Sequence, residues 1–170
     1  MKKIILGLLF LLLPLTLSQA AAETEVLFSG EANIREALLK EIENLAHSLD
    51  LALYEITSAD LIQALVKAKE RGINIRVVTD SKQARNKSSR VSALIKQGIS
   101  VKTIGGKEKG TMNHRFTILD GKKVMIGSPG WTEGSGEVNY DNILIIQGSD
   151  LVDSYQKEFE RLWREKRVVK

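Results

Sequence analysis

The sequence predicts a single mixed α/β domain, built on a largely parallel β-sheet flanked by helices. Three observations point there. Strand-like alternation and helix-spaced apolar rows take turns along the first two thirds of the chain. At 170 residues the chain suits one domain with a sizeable core. Beyond residue 22 there is no internal repeat and no linker-like stretch.

The chain opens with Met1, Lys2 and Lys3, an apolar run from Ile4 to Leu17, and then Ser18-Gln19-Ala20-Ala21-Ala22. A basic start, an apolar centre and small residues before a cut site describe a secretory signal peptide, with cleavage after Ala20 or Ala22. The apolar run is 14 residues long and contains Pro14, which is short for crossing about 30 Å of hydrocarbon. The expected domain is therefore 23–170, in a secreted or periplasmic protein. The chain has no cysteine, which suits an oxidising compartment and excludes thiol catalysis, zinc ribbons and a lipoprotein anchor.

Glu25 to Gly30 reads as a short strand with Val26 and Phe28 on one face. From Asn33, the residues Ile34, Leu38, Ile42, Leu45 and Leu49 recur at helical spacing, and this reading puts His47 on the helix, facing solvent. Leu49, Leu51 and Leu53 alternate as a strand running to about Ile56. Ser58 is positioned to cap a second helix bearing Leu61, Ile62, Leu65 and Val66, which Gly72 stops. Ile73–Thr79 is a β-branched, buried strand, 81–90 a basic loop, and a short helix runs to Gln97. Ile99–Ile104 is the next strand. Arg115–Leu119, an Asp120-Gly121 turn and Val124–Ser128 form a hairpin. After a glycine-rich loop come a strand, Asn142–Gln147, and a last helix capped by Ser149. Leu151, Val152, Tyr155, Phe159, Leu162 and Trp163 form its apolar face.

The formal charge is +4, and it is unevenly spread. Residues 1–22 carry +2, residues 23–66 carry −7, residues 67–110 carry +9, and residues 111–170 are neutral. Lys82, Arg85, Lys87, Arg90, Lys96, Lys102 and Lys107 fall between Asp80 and Glu108 with no acidic residue among them. Such a run reads either as a solvated face or as a polyanion-binding stripe, with Lys82, Arg85, Lys87 and Arg90 as candidate nucleic-acid contacts.

The densest motif is Met112-Asn113-His114-Arg115-Phe116-Thr117-Ile118-Leu119-Asp120-Gly121, followed by Gly127-Ser128-Pro129-Gly130-Trp131-Thr132 and Asn139-Tyr140-Asp141-Asn142. It resembles the phospholipase D superfamily, specifically its small secreted nucleases with a single HxK…D…GS motif. The resemblance spans about residues 25–165, with Arg115, Asp120, Gly127 and Ser128 at the family's spacings. It implies a phosphodiesterase that needs no metal or cofactor. A histidine attacks phosphorus, and a second histidine, from an identical partner, protonates the leaving oxygen. The implied assembly is a two-fold homodimer with the site on its axis, and the implied partner is nucleic acid ahead of membrane lipid.

The residue-level correspondence is incomplete. Asn113 occupies the nucleophile position, and an amide nitrogen neither attacks phosphorus nor shuttles a proton. Arg115 stands for lysine, keeping the charge and able to grip phosphate through two N–H groups. Asp120 takes the motif aspartate position. Gly127, Ser128 and Gly130 stand at the phosphate-binding positions, with Gly130 replacing an asparagine. Asp141 replaces an orienting glutamate. Strand alternation turns His114 away from Arg115. The sequence thus predicts a nuclease-like phosphodiesterase whose activity is lost or reduced at Asn113, with a non-catalytic nucleic-acid-binding module or a phospholipase as alternatives.

Overall fold

The computed structural model describes residues 23–108, 110–128, 131–135, 138–148 and 150–165; the expected signal segment and the Ser149 cap lie outside them. The strands are β1 Glu23–Phe28, β2 Ser48–Leu53, β3 Asn74–Asp80, β4 Ser100–Ile104, β5 Arg115–Leu119, β6 Lys123–Gly127 and β7 Asn142–Gln147. The helices are α1 Ile34–Glu43, α2 Ala59–Glu70, α3 Val91–Lys96 and α4 Asp150–Arg164. The strands form one sheet in the order β1-β7-β6-β5-β2-β3-β4.

The expectation of a largely parallel sheet is corrected. β2–β3 and β3–β4 are parallel. The pairs β1–β7, β7–β6, β6–β5 and β5–β2 are all antiparallel. Parallel neighbours need a crossover, usually a helix. Here α2 and α3 supply crossovers only between β2 and β4. Past β4 the strands connect through a tight turn and loops, and β1 closes the far edge against β7.

Strand alternation gives the sheet two buried faces. Leu49, Leu51, Leu53, Ile75 and Val77 pack with Ile34, Leu38, Leu61, Leu65 and Leu94 of α1–α3. Ala52, Val78, Phe116, Ile118, Val124 and Ile146 pack with Val152, Phe159 and Leu162 of α4. On this second face Asp50 and Arg76 form a two-bond pair of 2.8 and 2.6 Å, and Arg76 also reaches Glu160 at 2.7 Å. The Asp50 carboxylate beside Arg76 is the main cause of the guanidinium's raised pKa.

Three local readings change. α1 stops at Glu43 with Asn44 as its cap, so Leu45 packs from a turn and Leu49 belongs to β2. His47 is therefore in the turn, not on the helix. Ser58 precedes α2 but makes no cap bond to a helix amide; its hydroxyl donates to Asp60 Oδ1 at 2.7 Å. Val26 and Phe28 remain about half exposed on edge strand β1, and Leu27 is the residue turned to the core.

Two aspartates pin the two ends of the sheet. In the β5–β6 turn, three residues (120–122) join the paired Leu119 and Lys123; Asp120 and Gly121 both adopt positive φ, 51° and 65°, and the Lys122 amide donates to the Leu119 carbonyl at 3.0 Å. The Asp120 carboxylate then accepts amides from His47 (2.7 Å), Ser48 (2.8 Å) and Ala46 (3.0 Å), fastening the turn to the start of β2. Burial alone would raise its pKa, but those three amides outweigh burial and hold it below the usual carboxylate value. At the opposite end, fully buried Asp80 accepts amides from Lys82 (2.9 Å), Gln83 (3.1 Å) and Met112 (3.0 Å).

Two outcomes follow. Asp120→Ala should destabilise the fold by about 2–3 kcal/mol in urea unfolding, since it removes an ionised acceptor from three backbone donors. Because the folded pKa is depressed, this contribution is present above the ordinary carboxylate pKa and is lost as pH falls through the folded one. The stability gap between wild type and Asp120→Ala should accordingly narrow in acid. Asp80→Ala should cost more, about 3–5 kcal/mol, because it strands buried N–H groups. Limited proteolysis should show faster cutting within 81–90.

Candidate functional site

Apart from the Asp120-Gly121 turn, one end of the sheet gathers the loops that carry motif residues. The pairings Leu53↔Arg115 and Gly127↔Ile143 set the ends of β2 and β6 beside the starts of β5 and β7. The pairings Thr79↔Thr103 and Phe28↔Asn142 extend this edge in both directions. The loops 54–58, 81–90, 105–114 and 128–141 therefore converge there.

Arg115 is the first residue of β5 and faces the α1–α3 side. Its guanidinium carbon lies 5.8 Å from the centre of the Tyr54 ring. It lines a tight pocket of about 30 Å³ together with Tyr54, Glu55, Gly127, Ser128, Trp131 and Ser135. Gly127 is required by close approach: at φ +125°, an added Cβ would lie 2.3 Å from the Asn142 carbonyl oxygen. That approach lets the Ser128 amide donate to the same oxygen at 3.1 Å, setting Ser128 on the pocket wall.

The segment after Ser128 is strapped to the start of α2. The Trp131 carbonyl accepts amides from Thr57 (2.9 Å) and Ser58 (3.1 Å), and the Glu133 amide donates to Thr57 Oγ1 at 3.0 Å. Buried Arg35 binds both Asp60 oxygens at 2.9 and 2.8 Å and donates to the Ser135 carbonyl at 3.3 Å. The Arg35 hydrogen bond is the largest cause of the lowered Asp60 pKa. Ser135 Oγ donates to Asp141 Oδ2 at 3.0 Å, so Asp141 braces this loop and does not line the Arg115 pocket.

Other motif positions separate. Asn113 is exposed and lies ahead of β5, lining a neighbouring pocket of about 300 Å³ with Lys107, Thr111, His114 and Arg161. His114 faces α4, with Nε2 3.0 Å from Glu158 Oε1 and its ring edge-on to Phe116. Glu158 is held below the ordinary glutamate pKa, first by Arg161. Asp120 sits across five residues of β5 from Arg115, roughly 17 Å at strand rise. Its site is the β2 start, so its grouping with Asn113 and Arg115 as a catalytic residue is corrected to that of an architectural anchor. Gly130 lies outside the described residues.

The basic segment also divides. Lys82, Arg85, Lys87 and Arg90 are all exposed on the 81–90 loop. Gln83 Nε2 donates to Tyr54 Oη at 2.7 Å, and the Arg90 amide donates to the Ile56 carbonyl at 3.0 Å. These bonds hold the loop beside the Arg115 pocket. Lys102 instead donates to the Trp163 carbonyl on the α4 side, so the seven cations do not form one stripe. Among the described residues, no group of three His, Asp or Glu is arranged to hold a metal ion.

Sequence reading missed Tyr54, Glu55, Ser135, Arg35 and Asp80. Tyr54 and Glu55 had a usable signal, since they directly follow an alternating strand in a strand–helix unit, where sites commonly lie. Arg35 had none, because its partners are remote in sequence; Asp80 had a local one in the Lys82 and Gln83 amides two and three residues on, but its Met112 partner is remote.

Comparison with known proteins agrees with this geometry. The family described as cardiolipin synthase, PLD-like domain, matches residues 38–163. The chain is 35% identical over 128 residues to the mitochondrial cardiolipin hydrolase of Xenopus laevis, covering 75% of this chain and 60% of that protein. The chain thus spans less than two thirds of that relative's length. NucT from Helicobacter pylori superposes with a TM-score of 0.75 at 22% identity, covering 84% of this chain and 96% of that one. Nuc from Salmonella typhimurium, a phospholipase D family member, gives 0.74 at 24% identity, covering 86% and 99%. With the motif spacing, the single mixed sheet and the family match over residues 38–163 in agreement, the chain belongs to the phospholipase D superfamily, among its PLD-like domains.

Proposed function

We propose that this chain acts on the phosphodiester backbone of nucleic acids, as a hydrolase whose histidine route is disabled at Asn113, so that hydrolysis is lost or strongly reduced while backbone binding persists. The observation that supports this most is the loop bearing Lys82, Arg85, Lys87 and Arg90, tied to Tyr54 beside the Arg115 pocket. A phosphate held by Arg115 would leave the rest of the strand to run past four exposed cations. Binding of that kind is sequence-independent and driven by counterion release. Arg115 would grip the phosphate oxygens in a fork, with Ser128 as a further donor.

The proposal extends to assembly and location. Two copies share the site about a two-fold axis, and the chain is exported on its first 22 residues. The reaction proposed needs no metal or other cofactor. A lipid reading is favoured by the cardiolipin hydrolases among the relatives, since a phospholipid headgroup is also a phosphodiester. The basic loop favours the longer polyanion.

The deciding experiment compares the native chain with Asn113→His on single-stranded DNA, duplex DNA, RNA and cardiolipin-containing vesicles, with chelator present. Asn113→His should raise nucleic-acid hydrolysis by about 100-fold or more, the scale of acid–base and nucleophilic assistance. Preference for vesicles would move the function to lipid, and inertness on all substrates would sink the phosphodiesterase reading. For single-stranded binding, four phosphate contacts give a slope of about −3 in log affinity against log salt. Replacing Lys82, Arg85, Lys87 and Arg90 together should flatten it. Arg115→Ala should weaken binding about tenfold, and sedimentation should report a dimer.

A further inference from the structure

The Arg115 pocket holds a charge the motif does not account for. Glu55 follows β2 by two residues and lines the pocket half-buried. Among the described residues, its carboxylate has no hydrogen bond and no ion pair. Arg115 likewise has no ion pair there, only the Tyr54 ring. Glu55 and Arg115 thus line one pocket of about 30 Å³ without forming an ion pair, and the space has room for an ordered water.

A phosphate on Arg115 would stand near this carboxylate. Bare, the two anions repel. With a water between them the contact becomes favourable, because the water donates to Glu55 and turns its oxygen toward phosphorus. That is the geometry of a general base with its nucleophile. Asn113 offers no competing chemistry, since its amide is not nucleophilic and it lines the neighbouring pocket.

We propose that Glu55 is a catalytic residue of this chain, the general base of a one-step hydrolysis that replaces the two-step histidine route; this rests on the phosphodiester reading of the Arg115 pocket. The water oxygen bonds to phosphorus as the bond to the leaving ester oxygen breaks. One water proton passes to the Glu55 carboxylate. The leaving oxygen departs as an alkoxide and takes a proton from solvent, to which Glu55 later returns its own. The products are a phosphomonoester and an alcohol, with no covalent enzyme intermediate.

A single in-line displacement inverts configuration at phosphorus, whereas two successive displacements retain it. The test uses the native chain at high concentration on a single-stranded DNA with one phosphorothioate of known chirality, cleaved in isotopically labelled water. Inversion is expected for the native chain and retention for Asn113→His. Glu55→Gln should lower the native kcat by about 100-fold or more. Its DNA affinity should hold or rise, because an anion facing the phosphate has gone, and intact binding also shows that the variant folds. Retention by the native chain overturns the proposal, as does a Glu55→Gln variant with unchanged kcat. DNA binding without any cleavage by the native chain overturns it too, while leaving the binding reading intact. Failure to bind DNA at all removes the phosphodiester reading beneath it.

Discussion

β2 has a parallel neighbour on one side and an antiparallel neighbour on the other. Because β5 runs against β2, the start of β5 meets the end of β2, and Arg115 stands opposite Leu53. Were β5 parallel to β2, Arg115 would emerge at the far end of the sheet, beside the Asp120 staple. The antiparallel pairing makes the 54–58 and 128–135 loops neighbours of the motif cation. It also explains why Asp80 and Asp120 matter. Each carboxylate fixes an end of this pairing by accepting three amides that no strand partner satisfies.

The sheet can hold this arrangement because both faces are covered. α1–α3 bury one face, and α4 alone buries most of the other. On the α4 face the core is not wholly apolar, since Asp50, Arg76 and Glu160 form a partly buried charged chain against the rings of Phe159 and Trp163. Such a network adds little net stability but fixes where α4 sits, because an alternative placement would strand a buried charge. The position of α4 in turn sets Glu158 against His114, committing that histidine to the face away from Arg115.

At the site, two departures from the motif act together. Asparagine at 113 removes a nucleophile, and arginine at 115 widens the grip on phosphate from a point charge to a fork. Under the proposed function, a site so altered would bind phosphate better than it reacts by the histidine route. Glu55 lines the same pocket as Arg115, and under the proposal above it would supply the basicity that the altered motif lacks.

Sequence alone determined the element order, the strand alternation and the family-wide spacing of Arg115, Asp120, Gly127 and Ser128. These depend on local periodicity and on residue types whose chemistry is the same wherever they lie. It also located the basic loop. The β5–β6 hairpin was legible, but how it and β7 join the rest of the sheet was not, because a loop's length permits a turn back without revealing which edge the chain joins. The role of Asp120 was hidden for the same reason: its three amide donors lie more than 70 residues away. Only the tertiary structure decided that Asp120 anchors the fold and that Lys102 leaves the basic face. It alone set Glu55 into the Arg115 pocket, because each depends on which distant backbone arrives alongside, and no local pattern encodes that distance.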